Sequence, residues 1–396
     1  MYTEQMNRSF ILLFTCLVTA CAGPQTVYPK PEESFVQAER VAVQRIQIQE
    51  AIARDARVWS LLQPLLDANK MFCKDRLAYR LPMRQQDKAT LKKLMKGFSE
   101  KQIRQAGFDK LSVTASASKT IKPGDIIMAI NGEHVQGDRR KLGRQLALLN
   151  QKWKTKEELE SATAKREAEN KVVRLTIERD GKQFDQQVPL SEQCTIAMRT
   201  SISPEINAFA SGFSITVHAG LINALDNDRD LALVLAHELG HSLGLHTRKL
   251  TLNAFTSGFV VWGPVTAITA GIGDIVLQPI SEVLTGSPER PLAYLTGAAA
   301  AGALRTREFE READYLGLYF LARAGFEIGG ADEMYQVLTL LSPWSTFGYR
   351  SHPTVPERRL MIRQTIDEIV SRQKKQDALI PYGWIVSDSS KERAQQ

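Results

Sequence analysis

The sequence contains little cysteine and no strong excess of either charge. Only four of its 396 residues are cysteine and no two form a CxxC pair, so neither a disulfide-rich scaffold nor a thiolate zinc site is indicated. The 51 lysine and arginine residues exceed the 44 acidic residues by seven, which argues against a dedicated nucleic-acid binder. With 43% hydrophobic and 24% charged residues, the composition is that of a globular chain of two or three domains.

The N-terminus has the pattern of a secretory signal. Arg8 precedes an apolar run at residues 10–18 that is too short to cross a bilayer. The run ends in Val-Thr-Ala-Cys at residues 18–21, which resembles the lipobox of bacterial lipoproteins. The resemblance implies a signal peptide at residues 1–20 and a lipid on Cys21, whereas the alternative is an ordinary signal peptide that happens to contain a cysteine.

The lipobox resemblance also implies a place in the cell. Ala22 follows the cysteine, and a residue other than aspartate there favours the outer membrane, with the protein facing the periplasm. Residues 21–35 contain three prolines, so we interpret them as an extended tether. Because the periplasm is oxidising, Cys73 and Cys194 are a candidate disulfide, with two buried free thiols as the alternative.

Hydrophobic periodicity divides the rest of the chain into further parts. Residues 36–84 predict a long helix followed by a strand, which we assign to the same unit as residues 191–375. Residues 191–375 carry the candidate chemistry, and residues 376–396 form a C-terminal tail.

Residues 85–190 have the pattern of an inserted β-rich domain. Residues 126–130 predict a buried strand that ends in an Asn-Gly turn, and residues 171–190 predict a hairpin about Asp180-Gly181. The segment PGDIIMAING and the closing hairpin resemble a PDZ domain. This resemblance implies capture of a peptide C-terminus, but no glycine-rich carboxylate-binding loop precedes the segment, so a β-rich spacer is the alternative.

An HExxH motif begins at His237. Apolar residues precede it, Asp228 or Asp230 is expected to cap the helix, and positions 237 and 241 lie about 40° apart around a helix. The imidazoles of His237 and His241 can therefore share one zinc ion, and the neighbouring Glu238 can reach a water bound there. The alternative is a structural helix that carries surface histidines.

A third ligand has to come from elsewhere. His246 is one residue short of the metzincin position, where Thr247 stands, and on an unbroken helix it points about 180° away from His237, although a break at Gly244 could turn it back. We therefore expect His246 at the surface or beside the site. Glu310 and Asp314 share one face of a second helix, so one carboxylate can ligate zinc and the other can accept the outer N–H of a ligand histidine. A charged, solvated helix face is the alternative.

Residues 200–360 resemble the zinc metallopeptidases of the HtpX, CAAX prenyl-protease and BepA type, the M48 peptidases, which pair HExxH with ExxxD. The resemblance implies one Zn²⁺ per chain. It assigns zinc ligation to His237, His241 and Glu310, general-base catalysis to Glu238, and orientation of a ligand to Asp314.

The same resemblance extends to both sides of these motifs. Residues 207–210 and 215–221 resemble the family's segment and strand that precede the active helix, and an edge strand of this kind can bind an extended peptide. Downstream, Ser-His-Pro at residues 351–353 and then Arg358 resemble the family's C-terminal element. This implies that His352 stabilises the oxyanion or caps the open zinc position, and it makes Arg358 a supporting or oxyanion candidate. A loop histidine packed on proline is the alternative for His352.

One stretch leaves the membrane question open. Residues 250–273 contain no charged side chain and are long enough to span a bilayer. Pro264 and several polar side chains make them a poor spanning helix, so we favour a buried or membrane-facing helical hairpin.

The expected fold class is α+β, with a mainly helical gluzincin-type metallopeptidase domain, a small edge sheet and an inserted PDZ-like domain. The expected function is zinc-dependent hydrolysis of peptide bonds in misfolded or stalled envelope proteins. The expected partners are polypeptides, the membrane through the lipid on Cys21 and residues 250–273, and a peptide at the PDZ-like domain, with no nucleic acid. The alternatives are a PDZ-bearing chaperone or scaffold with an idle zinc site and, more weakly, an integral-membrane protease.

Overall fold

The structure is a computed structural model that describes residues 30–73, 76–155, 171–246, 249, 296–341 and 355–384. In residues 152–155, 296–306 and 338–341 only the backbone is described. Among these residues no helix is long and apolar enough to cross a membrane. Several predictions lie outside the described residues: the signal peptide, the lipid on Cys21, most of the tether at residues 21–35, the role of His352, the conformation of residues 250–273 and most of the tail at residues 376–396.

The longer helices belong mainly to the two ends of the chain, and most of the strands lie between them. The helices are α1 (Glu33–Ala68), α2 (Lys88–Leu94), α3 (Glu100–Gln105), α4 (Arg139–Thr155), α5 (Ala219–Ala224), α6 (Asp228–Leu243), α7 (Thr296–Arg323), α8 (Met334–Leu341) and α9 (Val355–Lys374), with short 3₁₀ turns at Lys70–Phe72 and Ala331–Glu333.

The strands are β1 (Leu77–Arg80), β2 (Met83–Gln86), β3 (Ser112–Ser116), β4 (Ile126–Ile130), β5 (Glu133–His134), β6 (Val172–Arg179), β7 (Lys182–Pro189), β8 (Ser191–Cys194), β9 (Ala197–Ser201), β10 (Ala208–Ala210) and β11 (Ser214–His218). This mixture of helices and strands agrees with the predicted α+β class.

The first helix crosses a division in the chain. The chain divides into two units between Gln44 and Arg45, and the structure describes residues 30–44 of the first. Within this second unit α1 buries Val58, Leu62 and Leu65 at helical spacing, so one stripe of the helix enters the hydrophobic core. The same core takes in buried residues of α6 and α7.

The larger sheet has the strand order β2-β3-β4-β6-β7, with β5 paired to β4. The predicted hairpin is present, since β6 and β7 pair antiparallel about Asp180 and Gly181, and both turn residues have the positive φ that such a turn needs. Asp125, which precedes β4, is buried and accepts two hydrogen bonds from Arg179 at the end of β6. The long helix of this region is α4, which lies between β5 and β6 in the chain.

A disulfide joins the two chain segments that flank the larger sheet. Cys73 and Cys194 are bonded, their Cα atoms are 5.7 Å apart, and 121 residues separate them in the sequence. Next to the bond, β1 pairs antiparallel with β8, and Leu77 lies opposite Cys194. All strands of the larger sheet lie between the two cysteines in the chain, so the bond ties the beginning of this region to its end.

The small sheet and two helices surround the candidate site. The small sheet has the strand order β10-β11-β9, in which β10 is antiparallel to β11 and β9 is parallel to β11. Strand β10 is therefore an edge strand within the described structure. Helix α6 packs on this sheet and on α7. A Cβ atom on Gly240 would lie 3.0 Å from the Ala313 carbonyl oxygen, and one on Gly317 would lie 3.0 Å from the His237 nitrogen. The two glycines therefore let α6 and α7 approach closely.

Candidate metal centre

Helix α6 begins with a side-chain cap, although not at the residue that the sequence predicted. The Asn227 side chain accepts a hydrogen bond from the Arg229 backbone N–H at 2.8 Å, so Asn227 is the N-cap and neither Asp228 nor Asp230 is. Both aspartates lie in the first turn, where their negative charges interact favourably with the positive end of the helix dipole. Asp228 also accepts a hydrogen bond from Arg57 of α1 at 2.8 Å.

Three side chains converge between α6 and α7. The Nε2 atoms of His237 and His241 are 3.1 Å apart, and Glu310 oxygens lie 3.5 Å from the first and 3.3 Å from the second. Four-coordinate zinc with ligand bonds of about 2.0–2.1 Å requires ligand atoms about 3.3–3.4 Å apart. The three residues therefore form a group that could hold a metal ion, with the type of ligand that zinc accepts.

The hydrogen bonding of His237 leaves one nitrogen free for a metal. Its Nδ1 lies 2.8 Å from Asp314 Oδ1, and because a carboxylate only accepts, the hydrogen is on Nδ1. The lone pair of Nε2 then faces the other two ligand atoms. Burial opposes the charged form, but Asp314 and Glu310 outweigh it and raise the pKa of metal-free His237 to about 10. Metal and proton therefore compete for this nitrogen.

Asp314 is held by more than the histidine. Arg358 of α9 donates to both of its oxygens, at 2.8 and 2.7 Å, and the Tyr335 hydroxyl of α8 donates at 3.0 Å. Burial raises the pKa of Asp314, but Arg358 and His237 together hold it well below the ordinary range, so the carboxylate stays ionised. The geometry gives Arg358 a supporting contact, because its guanidinium is engaged by Asp314 and by the Tyr335 oxygen at 2.8 Å.

Tyr335 was missed by the sequence analysis. It is 3% exposed, and burial raises the pKa of its hydroxyl well above the ordinary value, so the hydroxyl keeps its hydrogen and donates it to Asp314. No motif marks this residue, because its contacts depend on how the helix following α7 packs. A buried tyrosine usually has a hydrogen-bond partner, and that general rule was the one available signal.

His246 lies beside the site, which is one of the two positions expected from the sequence, and not at the surface. Helix α6 ends at Leu243, and Leu245 adopts a left-handed φ of 57°, so the chain turns back instead of continuing. His246 is 1% exposed and its Nδ1 lies 2.9 Å from Nδ1 of His241. Burial lowers the pKa of His246, which favours a neutral ring. The break that Gly244 left open is present, because the helix ends before Gly244 and Leu245 reverses the chain.

Glu238 follows His237 on α6 and is 7% exposed. Successive residues leave a helix about 100° apart, so its carboxylate lies to one side of the two imidazoles and is not directed along with them. Its burial and its place in the sequence beside His237 make Glu238 a candidate for the general base.

A sequence comparison identifies the protein family that this part of the chain resembles. The profile of peptidase family M48 matches residues 174–366, a range that contains both ligand helices and Arg358. This part of the chain carries a peptidase M48 domain. The family predicted from the HExxH and ExxxD motifs is thereby confirmed. The match begins within β6, so it includes the hairpin that the sequence analysis attributed to the PDZ-like segment.

Individual M48 relatives match shorter stretches. The beta-barrel assembly-enhancing protease of Escherichia coli strain K12 is 33% identical over 128 residues, which is 31% of this chain and 24% of that protein. The putative beta-barrel assembly-enhancing protease of Vibrio cholerae is 34% identical over 155 residues, 37% of this chain and 28% of that protein. The mitochondrial metalloendopeptidase OMA1 of Arabidopsis thaliana is 28% identical over 166 residues, which is 41% of this chain and 30% of that protein. The chain therefore spans about a quarter of the length of these relatives.

Proposed function

We propose that the chain is a zinc-dependent endopeptidase of the bacterial cell envelope. The observation that carries the proposal is the convergence of His237, His241 and Glu310, whose ligand atoms all lie within 4.8 Å of one another. Two nitrogens and a carboxylate supply three ligands, which is the ligand number of catalytic zinc sites that keep a fourth position open. The match of residues 174–366 to a peptidase family model and the likeness to a relative named as a metalloendopeptidase support the same activity.

The roles of the side chains follow from their contacts. When bound to these ligands, zinc supplies Lewis acidity that polarises a carbonyl group and lowers the pKa of water to about 7. Glu238 accepts the proton of the attacking water and passes it to the leaving amine. Asp314 fixes the ring of His237 through the 2.8 Å hydrogen bond, while Arg358 neutralises Asp314 and holds it in place.

The edge strand β10 provides a place for the substrate. It lies at the border of the small sheet in the described structure, and α6 packs against that sheet. An extended polypeptide can add to such an edge through backbone hydrogen bonds, which depend little on side-chain identity. This favours unfolded or extended segments as substrates over folded domains.

The proposed setting is the periplasmic face of the outer membrane. The lipobox-like sequence before Cys21 supports attachment by lipid, and relatives named beta-barrel assembly-enhancing protease support envelope proteins as substrates. We include misfolded or stalled chains in this class. The strand pattern at residues 85–190 supports a PDZ-like domain that binds a peptide partner.

The deciding experiment compares wild type with Glu238→Gln, using zinc analysis and hydrolysis of an unfolded casein-type substrate. The variant should keep one zinc per chain, because Glu238 is not a ligand, and lose about 100- to 10,000-fold in rate. Glu308→Gln is the matched control, because Glu308 is an exposed carboxylate on α7.

Equal rates for wild type and Glu238→Gln would refute the proposed mechanism. The alternative function, a chaperone or scaffold with an idle zinc site, predicts a different pattern. In that case the wild type binds zinc and unfolded protein but hydrolyses nothing, and Glu238→Gln changes neither property.

A further inference from the structure

His246 and Glu312 form a cluster beside the metal group to which the proposed mechanism gives no role. The His246 ring stacks on Phe309, with ring centroids 4.8 Å apart and planes inclined by 24°. Its Nδ1 lies 2.9 Å from Nδ1 of His241, and its Nε2 lies 3.1 Å from Oε2 of Glu312. The ring therefore lies between a candidate ligand and a carboxylate, and one nitrogen faces each.

The positions of the hydrogens follow from these contacts. When Nε2 of His241, which faces His237 and Glu310, binds a metal, the hydrogen of this neutral ring is on Nδ1. The facing Nδ1 of His246 must then accept this hydrogen bond, which puts the hydrogen of the neutral His246 ring on Nε2, toward Glu312. The contact between Nε2 of His246 and Glu312 is short, but its angles do not meet those of a hydrogen bond. The contact of His246 with His241 is therefore the stronger of the two.

The backbone before His246 is adapted to this position. A Cβ atom on Gly244 would lie 2.4 Å from Nε2 of His246, so only glycine leaves room for the ring. Leu245 takes a left-handed conformation that costs a residue with a side chain about 1 kcal/mol or more. A turn of this kind persists only where the surrounding contacts stabilise it.

We propose that His246 is a positioning residue for the metal ligand His241, and that Glu312 orients His246 in turn. This rests on the proposed zinc site. The two ligand histidines then have different outer partners: His237 donates to the carboxylate of Asp314, whereas His241 donates to a neutral imidazole. Outer partners fix the tautomer and orientation of a ligand histidine, and their loss commonly reduces metal affinity about 10- to 100-fold.

The test measures zinc affinity by competition with a chromogenic chelator, on the full chain. His246→Phe keeps an aromatic ring against Phe309 and removes the acceptor, so affinity should fall about 10- to 100-fold. His246→Asn places a carbonyl oxygen near the former Nδ1 and should restore much of the affinity. Glu312→Gln should cause a smaller loss than His246→Phe, whereas Glu308→Gln, the control on the same helix, should cause none.

A spectroscopic readout separates positioning from simple packing. In the cobalt-substituted protein, each ligand imidazole has a strongly shifted exchangeable N–H proton signal, and wild type should show two. In His246→Phe, the signal of His241 should be lost to faster exchange with solvent, while that of His237 persists. Wild-type zinc affinity together with two retained signals would overturn the proposal, even if the thermal stability of the metal-free variant falls.

Two further arms keep the test decisive. If His246→Phe does not fold, His246→Gln replaces it, because its longer amide no longer matches the Nδ1 position; equal zinc affinity of the Asn and Gln variants would overturn the proposal. The proposed peptidase function is judged separately. A wild type that binds zinc but hydrolyses nothing refutes that function alone, whereas an inactive Glu238→Gln together with an unaffected His246→Phe refutes the positioning role alone.

Discussion

Replacing Gly317 by alanine should disturb the metal group from a position that touches neither metal nor substrate. The new Cβ would lie 3.0 Å from the His237 nitrogen and 3.1 Å from its Cα, both of them backbone atoms that cannot rotate away. Ordinary contacts need about 3.5–4.0 Å, so α6 and α7 must separate by about 0.5 Å at this point. Overpacking of this kind typically costs about 1–3 kcal/mol of stability.

The same separation changes the ligand geometry. Glu310 and Asp314 move with α7, whereas His237 and His241 move with α6, so the 2.8 Å hydrogen bond from His237 to Asp314 would lengthen to about 3.3 Å. The distances from Glu310 to the two imidazoles would exceed the spacing that four-coordinate zinc accepts. We expect zinc affinity to fall about 10-fold or more, in the range found when the outer partner of a ligand is lost.

The assay combines thermal unfolding with zinc competition, and the chain offers a matched control. Gly143 also lies in a helix, α4, but no atom comes within 4 Å of a Cβ placed there. Gly143→Ala should leave zinc affinity unchanged and should stabilise the helix by up to about 1 kcal/mol. Wild-type zinc affinity and unfolding temperature in Gly317→Ala would refute the argument that close helix packing sets the geometry of the site.

Three other predictions concern protons, the disulfide and the third ligand. The pKa of metal-free His237 is raised to about 10, so its protonation adds stability that is complete below the unfolded value of about 6.5 and is lost as the pH rises through 10. The unfolding temperature of the metal-free protein should therefore fall over this pH range. Zinc binding at pH 8 should release a proton, which calorimetry in buffers of different ionisation enthalpy should detect. Reducing the Cys73–Cys194 bond should lower stability by up to about 4–5 kcal/mol in the chain-entropy model, and an unchanged denaturant midpoint would contradict this. Glu310→Ala should remove much of the zinc, as measured by metal analysis, because two imidazoles alone bind weakly; full zinc retention would remove Glu310 from the ligand set.

The sequence predicted those features that depend on local spacing. His237 and His241 lie one turn apart on a helix, Glu310 and Asp314 likewise, and both pairs meet as expected, because four-residue spacing fixes a shared helical face. The pattern could not locate Tyr335 or Glu312, whose contacts depend on how separate helices pack. His246 shows the limit within a single segment: the turn at Gly244 and Leu245 reverses the direction that helical geometry predicts for the residue after it.

Asp314 is the second acidic residue of the ExxxD motif, and its contacts indicate what an acidic side chain does at this position. Its carboxylate accepts hydrogen bonds from His237 of α6, Tyr335 of α8 and Arg358 of α9, while its own backbone belongs to α7. One buried carboxylate thus joins four helices. Because its charge is balanced by Arg358, it can orient His237 without adding a full negative charge beside the proposed zinc ion, which would weaken the pull of the metal on its substrate. Asparagine at this position could still accept hydrogen bonds through its one carbonyl oxygen, but its NH2 group would face the Nε donor of Arg358 and the guanidinium would lose its counter-charge, so we expect both the position and the charge of Asp314 to matter.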